Sequence, residues 1–216
     1  RVNVVLSLLQ LLLNQQGEKV FETAAPLPVG RHQISAVLLG LGQYGTEMLK
    51  ALAWFGQMDG YDLRLTAVDA RPNARELFTY RCPELMDRHH NGQRIPGEAL
   101  YDLRIHAGMR LESREFLELV QTLPQLTYVF VALGSDTRNI EAAVRLREVC
   151  QRRGLHPYIL AVGQDPFKPV ALTSVTDYRG TPYDLHFLGA RDMLYSESNI
   201  LHSRLEAEAL TRHLKW

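Results

Sequence analysis

The sequence predicts an α/β protein: a doubly wound parallel sheet with flanking amino- and carboxyl-terminal helices. Three observations predict it. Short apolar runs of strand length alternate with segments of helical spacing. The runs at 34–39 (ISAVLL) and 128–133 (YVFVAL) are apolar throughout, as strands are when both faces of a sheet are covered. A glycine-rich turn joins the first of these runs directly to a helical segment. Such alternation implies right-handed β–α–β crossovers and an open parallel sheet.

Along the chain, residues 2–14 carry a broad apolar face (Val2, Val5, Leu6, Leu9, Leu12, Leu13), which predicts a helix that must pack on something. Residues 19–23 suit a short strand, and 24–30, with Pro26 and Pro28, reads as a linker. After the strand at 34–39, residues 46–57 show helical spacing through Met48, Leu49, Leu52, Ala53 and Phe55. The run 63–68 (LRLTAV) is a second strand closed by Asp69. Residues 70–100, rich in Arg, Pro, Asn and Gly, read as irregular with a short helix near 74–78. A third strand follows at 103–106, then a helix capped by Ser113 and carrying Phe116, Leu117 and Val120. The strand at 128–133 leads through Gly134-Ser135-Asp136 into a helix over 137–153. Further strands are predicted at 157–162 and 184–188, and an amphipathic helix at 198–214. These elements divide into 1–30 (helix and linker), 31–166 (the sheet domain) and 167–216 (loop, sixth strand and helix).

The 216 residues balance 24 basic against 24 acidic side chains, so net charge supplies no reason to expect a nucleic-acid partner. No apolar stretch reaches the roughly 18 residues of a membrane span. Cys82 and Cys150 are too few for a disulfide framework or a structural zinc site, and suit reduced thiols in a cytoplasmic protein. The chain begins at Arg1 and ends at Trp216 within a helical pattern, which reads as a fragment of a longer protein.

The sharpest motif is strand, then Gly40-x-Gly42-x-x-Gly45, then helix. Gly40 permits the tight turn, Gly42 lets backbone approach a pyrophosphate, and Gly45 lets the helix pack close. Helix-start amides, including those of Gln43 and Tyr44, then face the phosphates. This is the Rossmann-like arrangement, and it implies NAD(H) or another adenine nucleotide as ligand. Asp69 closes the next strand, where a carboxylate accepts from both ribose hydroxyls and repels a 2′-phosphate. That favours NAD(H) over NADP(H), although Arg71, beside Ala70, is able to accommodate the phosphate. Gly134, Ser135 and Asp136 end the fourth strand on the ligand-binding edge, with Asn139 one turn into the following helix. His106 ends the third strand and is placed to touch adenine. Candidate cofactor contacts are therefore Gly40, Gly42, Gln43, Tyr44, Gly45, Asp69, Ala70, Arg71, His106, Gly134, Ser135, Asp136 and Asn139, with Gly163-Gln164-Asp165 on the far side.

Other clusters read more plainly. His89-His90 near Glu84 and Asp87 suits a solvated loop rather than a metal site. Arg145, Arg147, Arg152 and Arg153 are interspersed with Glu141 and Glu148 and suit a solvated helix face. A hydride-transfer enzyme needs an acid or base by the nicotinamide. None of Lys19, Lys50, Lys168 and Lys215 lies just after a predicted strand facing the cofactor, and no Tyr-x-x-x-Lys pair occurs. No catalytic residue is assigned.

The run ISAVLLGLGQYGTEMLKAL resembles the start of the RCK/TrkA-N-type Rossmann domain, the nucleotide-sensing regulator of potassium channels and transporters. TYVFVALGSDTRNIEAAVRLRE is similar to that family's fourth strand and helix, with Asp136 and Asn139 at the family's acidic and asparagine positions. His106-Ala107-Gly108-Met109 departs from its acidic adenine-contacting turn. The similarity spans about residues 33–165. The closing LEAEALTRHLKW looks faintly like the lead-in helix of ryanodine-receptor-type repeats. The resemblance implies a bacterial-type cytoplasmic, non-catalytic nucleotide sensor that regulates an attached or neighbouring protein module. The apolar terminal helices would serve such a module or a homodimer, or equally pack on this domain's own core. An NAD-dependent oxidoreductase and a degenerate Rossmann scaffold for protein contacts are the alternatives.

Overall fold

The computed structural model describes residues 5, 9, 12, 13, 16–90, 100–123, 125–163, 176, 180–188, 210, 211, 213 and 214. Strands run as β1 (Ala25–Pro26), β2 (His32–Leu39), β3 (Tyr61–Asp69), β4 (Asp102–Ala107), β5 (Tyr128–Val131), β6 (Tyr158–Val162) and β7 (Leu185–Leu188). All but β1 lie parallel in one sheet, in the order β4-β3-β2-β5-β6-β7. Counted among themselves, the parallel strands thus follow the order 3-2-1-4-5-6, which is that of doubly wound dinucleotide-binding sheets. The predicted fold class is the observed one.

Alternate residues of each strand point to opposite faces, and the helices divide between them. On one face Ala36, Leu38, Leu65, Ala67, Phe130 and Leu160 meet Met48, Leu49 and Leu52 of one helix (Gln43–Phe55). That helix is here α2, after α1 (Glu18–Glu22). Helices α3 (Ala74–Arg81) and α4 (Pro83–His90) add Phe78, Leu85 and Met86 to the same layer. On the other face Val37, Leu39, Val129, Val131, Ile159 and Ala161 meet Phe116 and Val120 of α5 (Arg114–Thr122). The same layer takes Ala143 and Leu146 from α6 (Asp136–Arg152). The Ser113 hydroxyl accepts from the Phe116 amide at 3.2 Å, the predicted cap.

Several elements differ from the sequence expectation. Residues 19–22 lie in α1, with Thr23 its C-cap, and form no strand: Val20 alone is buried there, and the chain turns to bring Phe21 against Phe55 (ring centroids 5.0 Å) and Tyr61 (5.1 Å). The linker at 24–30 contains β1, which pairs antiparallel with the start of β2, and a single 3-10 turn at Pro28–Gly30. The segment at 70–90 is mostly helical; Pro83 opens α4 where its missing N–H costs nothing. The side chains of His89 and His90 and residues 91–99 lie outside the described residues, as do Gln164, Asp165, Leu201, Leu205, Ala209 and Trp216. Of the closing helix, Leu210, Thr211 and His213 are helical; Leu210 and Leu214 are 58% and 75% exposed.

The amino-terminal helical residues are part of this core. Val5, Leu9 and Leu12 are buried in the same layer as Tyr128, Phe130 and Tyr158. The Tyr158 hydroxyl donates to Gln16 Oε1 at 2.6 Å. Among the described residues no helix is long and apolar enough to cross a membrane.

Leu9 is 1% exposed, so truncating it leaves a cavity in the shared layer. Leu9→Ala is expected to lower stability by about 3 kcal/mol and to shift one cooperative urea transition. A separate amino-terminal unit would leave the main transition where it was.

Candidate functional site

At the carboxyl edge of the sheet the chain leaves β2 and β5, which are hydrogen-bonded neighbours, in opposite directions: toward β3 through α2, and toward β6 through α6. Ligands of open α/β sheets bind at such a divergence. A crevice of about 300 Å³ opens there. Its walls are the glycine loop, the end of β3 and the turn that enters α6.

The three glycines have different work. Gly40 has φ +90°, and a Cβ on it would stand 2.3 Å from the Ala132 carbonyl oxygen. A Cβ on Gly45 would lie 1.8 Å from the Gly40 carbonyl oxygen, so α2 packs against the turn only because that position is bare. A Cβ on Gly42 would meet nothing within 4 Å. That glycine borders the crevice, and space, not crowding, lies over it. Gly42 is the N-cap of α2 and Ser135 the N-cap of α6, and neither end has a side-chain cap hydrogen bond. Two positive helix ends therefore border one cavity.

Asp69 closes β3 at 8% side-chain exposure, with its carboxylate turned to the loop. Oδ2 accepts from the Leu41 amide (2.7 Å) and from Arg71 Nη2 (2.8 Å). Oδ1 accepts from the Arg71 amide (2.8 Å) and Nε (2.9 Å). Arg71 Nη2 also donates to the Leu41 carbonyl at 2.9 Å. Burial pushes the Asp69 carboxyl up, but the hydrogen bonds from the Arg71 side chain and amide and the Leu41 amide, with the guanidinium charge, outweigh it; the net position is below the usual carboxylate range.

Of the residues expected at the site, Gly40, Gly42, Gln43, Tyr44, Asp69, Ala70, Arg71, Gly134, Ser135, Asp136 and Asn139 line this one crevice. Gly45 is not among the lining residues; it is buried in the first turn of α2, against the Gly40 carbonyl. Asn139 lines the crevice but is engaged at both ends of its amide: Oδ1 accepts from the Leu133 amide (2.6 Å) and Nδ2 donates to the Val162 carbonyl (2.7 Å). His106 is not among the lining residues. Its Nε2 is enclosed without a hydrogen-bond partner, and burial and the nearby Arg104 push its pKa down, so it is neutral at pH 7. Sequence reading missed Arg138, which lines the crevice from the first turn of α6, and the wall residues Ala132, Leu133 and Val162. Arg138 was legible as the neighbour of Asp136 and Asn139. The arginines beyond it split: Arg145 and Arg152 are exposed, but Arg147 is 2% exposed and donates to the Tyr183 (2.7 Å) and Asp184 (2.8 Å) carbonyls. Arg153 donates to the Val120 and Leu123 carbonyls at the end of α5. These two hold the fold and form no basic face.

A larger cavity of about 730 Å³ lies at the opposite, amino-terminal strand edge, by Arg31, Tyr61 and Asp102. Its glycine, Gly60, lies in the turn that enters β3, and no helix start is among its described lining residues. Among the described residues no group of His, Cys, Asp and Glu is arranged to hold a metal ion. Compared with family models, with curated proteins and with solved structures, the chain matches none.

The lowered Asp69 pKa fixes a pH dependence. The carboxylate's contribution to stability is present above its unfolded value, about 4, and is lost as pH falls through the lower folded value. Asp69→Asn is expected to destabilise the protein at pH 7. The gap from wild type should narrow steadily below about pH 4, as urea melts across that range will read.

Proposed function

We propose that the chain binds an adenine nucleotide or dinucleotide, non-catalytically, in the crevice between the Gly40–Gly45 loop and the start of α6. It would serve as a regulatory module of a larger protein, as its resemblance to RCK/TrkA-N domains implies. The observation that carries this is the bare N-cap at Gly42. The loop brings a helix start to the switch point of the sheet, and the position that a phosphate would need clear is clear. The cavity volume is at the low end of ligand pockets, roughly 300–1,000 Å³, and suits one nucleotide half within the walls. The lining side-chain charges balance, Arg71 and Arg138 against Asp69 and Asp136, so the two helix ends supply the attraction for an anionic ligand. The described lining residues include Tyr44, Asp69 and Asp136 but no His, Lys or Cys; the Asp69 carboxylate is already bonded to Arg71 and the Leu41 amide, and no acid–base pair is assigned to the other two.

A regulatory role needs a route out of the crevice, and α2 offers one. Its amino end borders the crevice, while Phe55 at its carboxyl end packs on Phe21. A Cβ on Gly17 would stand 2.8 Å from the Phe55 ring, so the amino-terminal segment closes directly on this helix. A ligand that shifts α2 along its axis would change this contact, and a population shift needs such a difference between states.

Gly42→Asp tests the reading. The open space at this position leaves the fold intact, with a thermal midpoint near wild type. The added carboxylate repels phosphate and fills the approach. Titration calorimetry should show NAD(H) or ADP binding to wild type and a loss of about 100-fold or more in the variant. Millimolar ligand without heat on wild type overturns the reading, and steady hydride transfer with a hydroxy-acid or aldehyde panel overturns the non-catalytic part.

A further inference from the structure

We propose that Arg71 sets the ligand class of the crevice, selecting a nucleotide whose adenosine ribose carries a 2′-phosphate over one with a free 2′,3′-diol. This rests on the reading of the crevice as a nucleotide site. An ionised carboxylate offers about four lone-pair positions. On Asp69 all four are taken by protein donors: the Leu41 amide, the Arg71 amide, and Arg71 Nε and Nη2. A ribose diol uses such a carboxylate by donating two hydrogen bonds to it, and here it finds no acceptor open. It binds only by evicting the guanidinium, which costs a bidentate charge-assisted pair and the bond from Nη2 to the Leu41 carbonyl.

The guanidinium presents the opposite chemistry. Of its five N–H groups, Nε and the two on Nη2 are used on Asp69 and Leu41. The two on Nη1 make no hydrogen bond among the described residues. Arg71 lines the crevice with its side chain 44% exposed. Its charge is offset by Asp69, so the pair removes the repulsion that a lone aspartate would exert on a phosphate. What stands at the end of β3 is thus a donor group held rigid by its own carboxylate. A phosphate accepts from such a group through several oxygens and brings charge; a hydroxyl accepts once.

NAD+ and NADP+ differ only by the 2′-phosphate and are the probes. With the full chain, calorimetry should give NADP+ the lower Kd by about tenfold or more. Arg71→Ala frees Asp69 for the diol and should reverse the preference. Arg71→Lys keeps the charge without the fork; it should retain a preference for NADP+ at a smaller ratio, and it keeps the test alive if the alanine variant does not fold. Wild type preferring NAD+, or a Kd ratio unchanged in the variants, overturns this inference and leaves the crevice reading standing. No binding of either dinucleotide to wild type overturns the crevice reading and this inference together.

Discussion

The glycine turn and its own helix meet without room for a side chain between them. The Gly40 carbonyl lies where a Cβ on residue 45 would be, and Gly40 in turn abuts the Ala132 carbonyl at the end of β5. The second contact lets β2 and β5 run side by side to their last residues, where the Ala132 amide donates to the Leu39 carbonyl at 2.8 Å. The first sets α2 down on the sheet, so that Met48, Leu49 and Leu52 reach the layer containing Leu38 and Leu65. Any larger residue at position 45 would lift the helix, thinning the core and withdrawing its amino end from the crevice. Packing and site geometry therefore have one cause here, and neither can be altered at this point without the other.

The wall opposite the glycine loop is built differently, by polar side chains reaching backbone. Asn139 ties Leu133 to Val162 and so fixes the ends of β5 and β6 relative to one another. Arg147 reaches out of α6 to the two carbonyls before β7, and Arg153 answers two carbonyls at the end of α5. Carbonyls at helix ends and strand approaches lack partners in the regular ladders, and buried ones must find them elsewhere. Arginine suits the purpose because its fork reaches two acceptors at once. Burial lowers the Arg147 pKa, and the approach of Asp184 opposes this. A charged side chain is thus held inside by carbonyl dipoles more than by an ion pair, since its nearest carboxylate oxygen is 4.0 Å away.

These two walls explain what was legible in the sequence. The glycine loop, Asp69 and the strands around them follow from local rules: apolar runs, turn chemistry and the spacing of bare positions. The five parallel strands up to residue 162 and α2, α5 and α6 sit within a few residues of where those rules put them. The far wall depends on contacts between distant residues, which local patterns do not show. Asn139 looks like a ligand residue from its position one turn into a helix, but its partners, Leu133 and Val162, are set by the sheet. Arg147 looks solvated among alternating charges, because nothing local shows that the chain returns over it at Tyr183. Residues 18–22 had too few apolar positions to tell a helix from a strand, and only the Phe21, Phe55 and Tyr61 rings decide it. The buried Val5, Leu9 and Leu12 likewise pack in the sheet's own core, one of the partners the sequence left open.

Asp69 illustrates why a motif and a site differ. By position it is an acceptor for sugar hydroxyls; by its surroundings it is already satisfied. An unliganded protein cannot leave an ionised carboxylate at 8% exposure without donors, because a buried charge lacking partners costs far more than the fold can bear. Here the donors come from the next arginine and from the glycine loop. Ligand affinity at this end of the crevice is then a difference: the new contacts less the bonds of Arg71 that must be broken or reused. A ligand that reuses them keeps the stabilisation the empty protein already has, and one that breaks them must first undo it. The same pair that lets the loop fold without a ligand therefore decides which ligand the loop accepts.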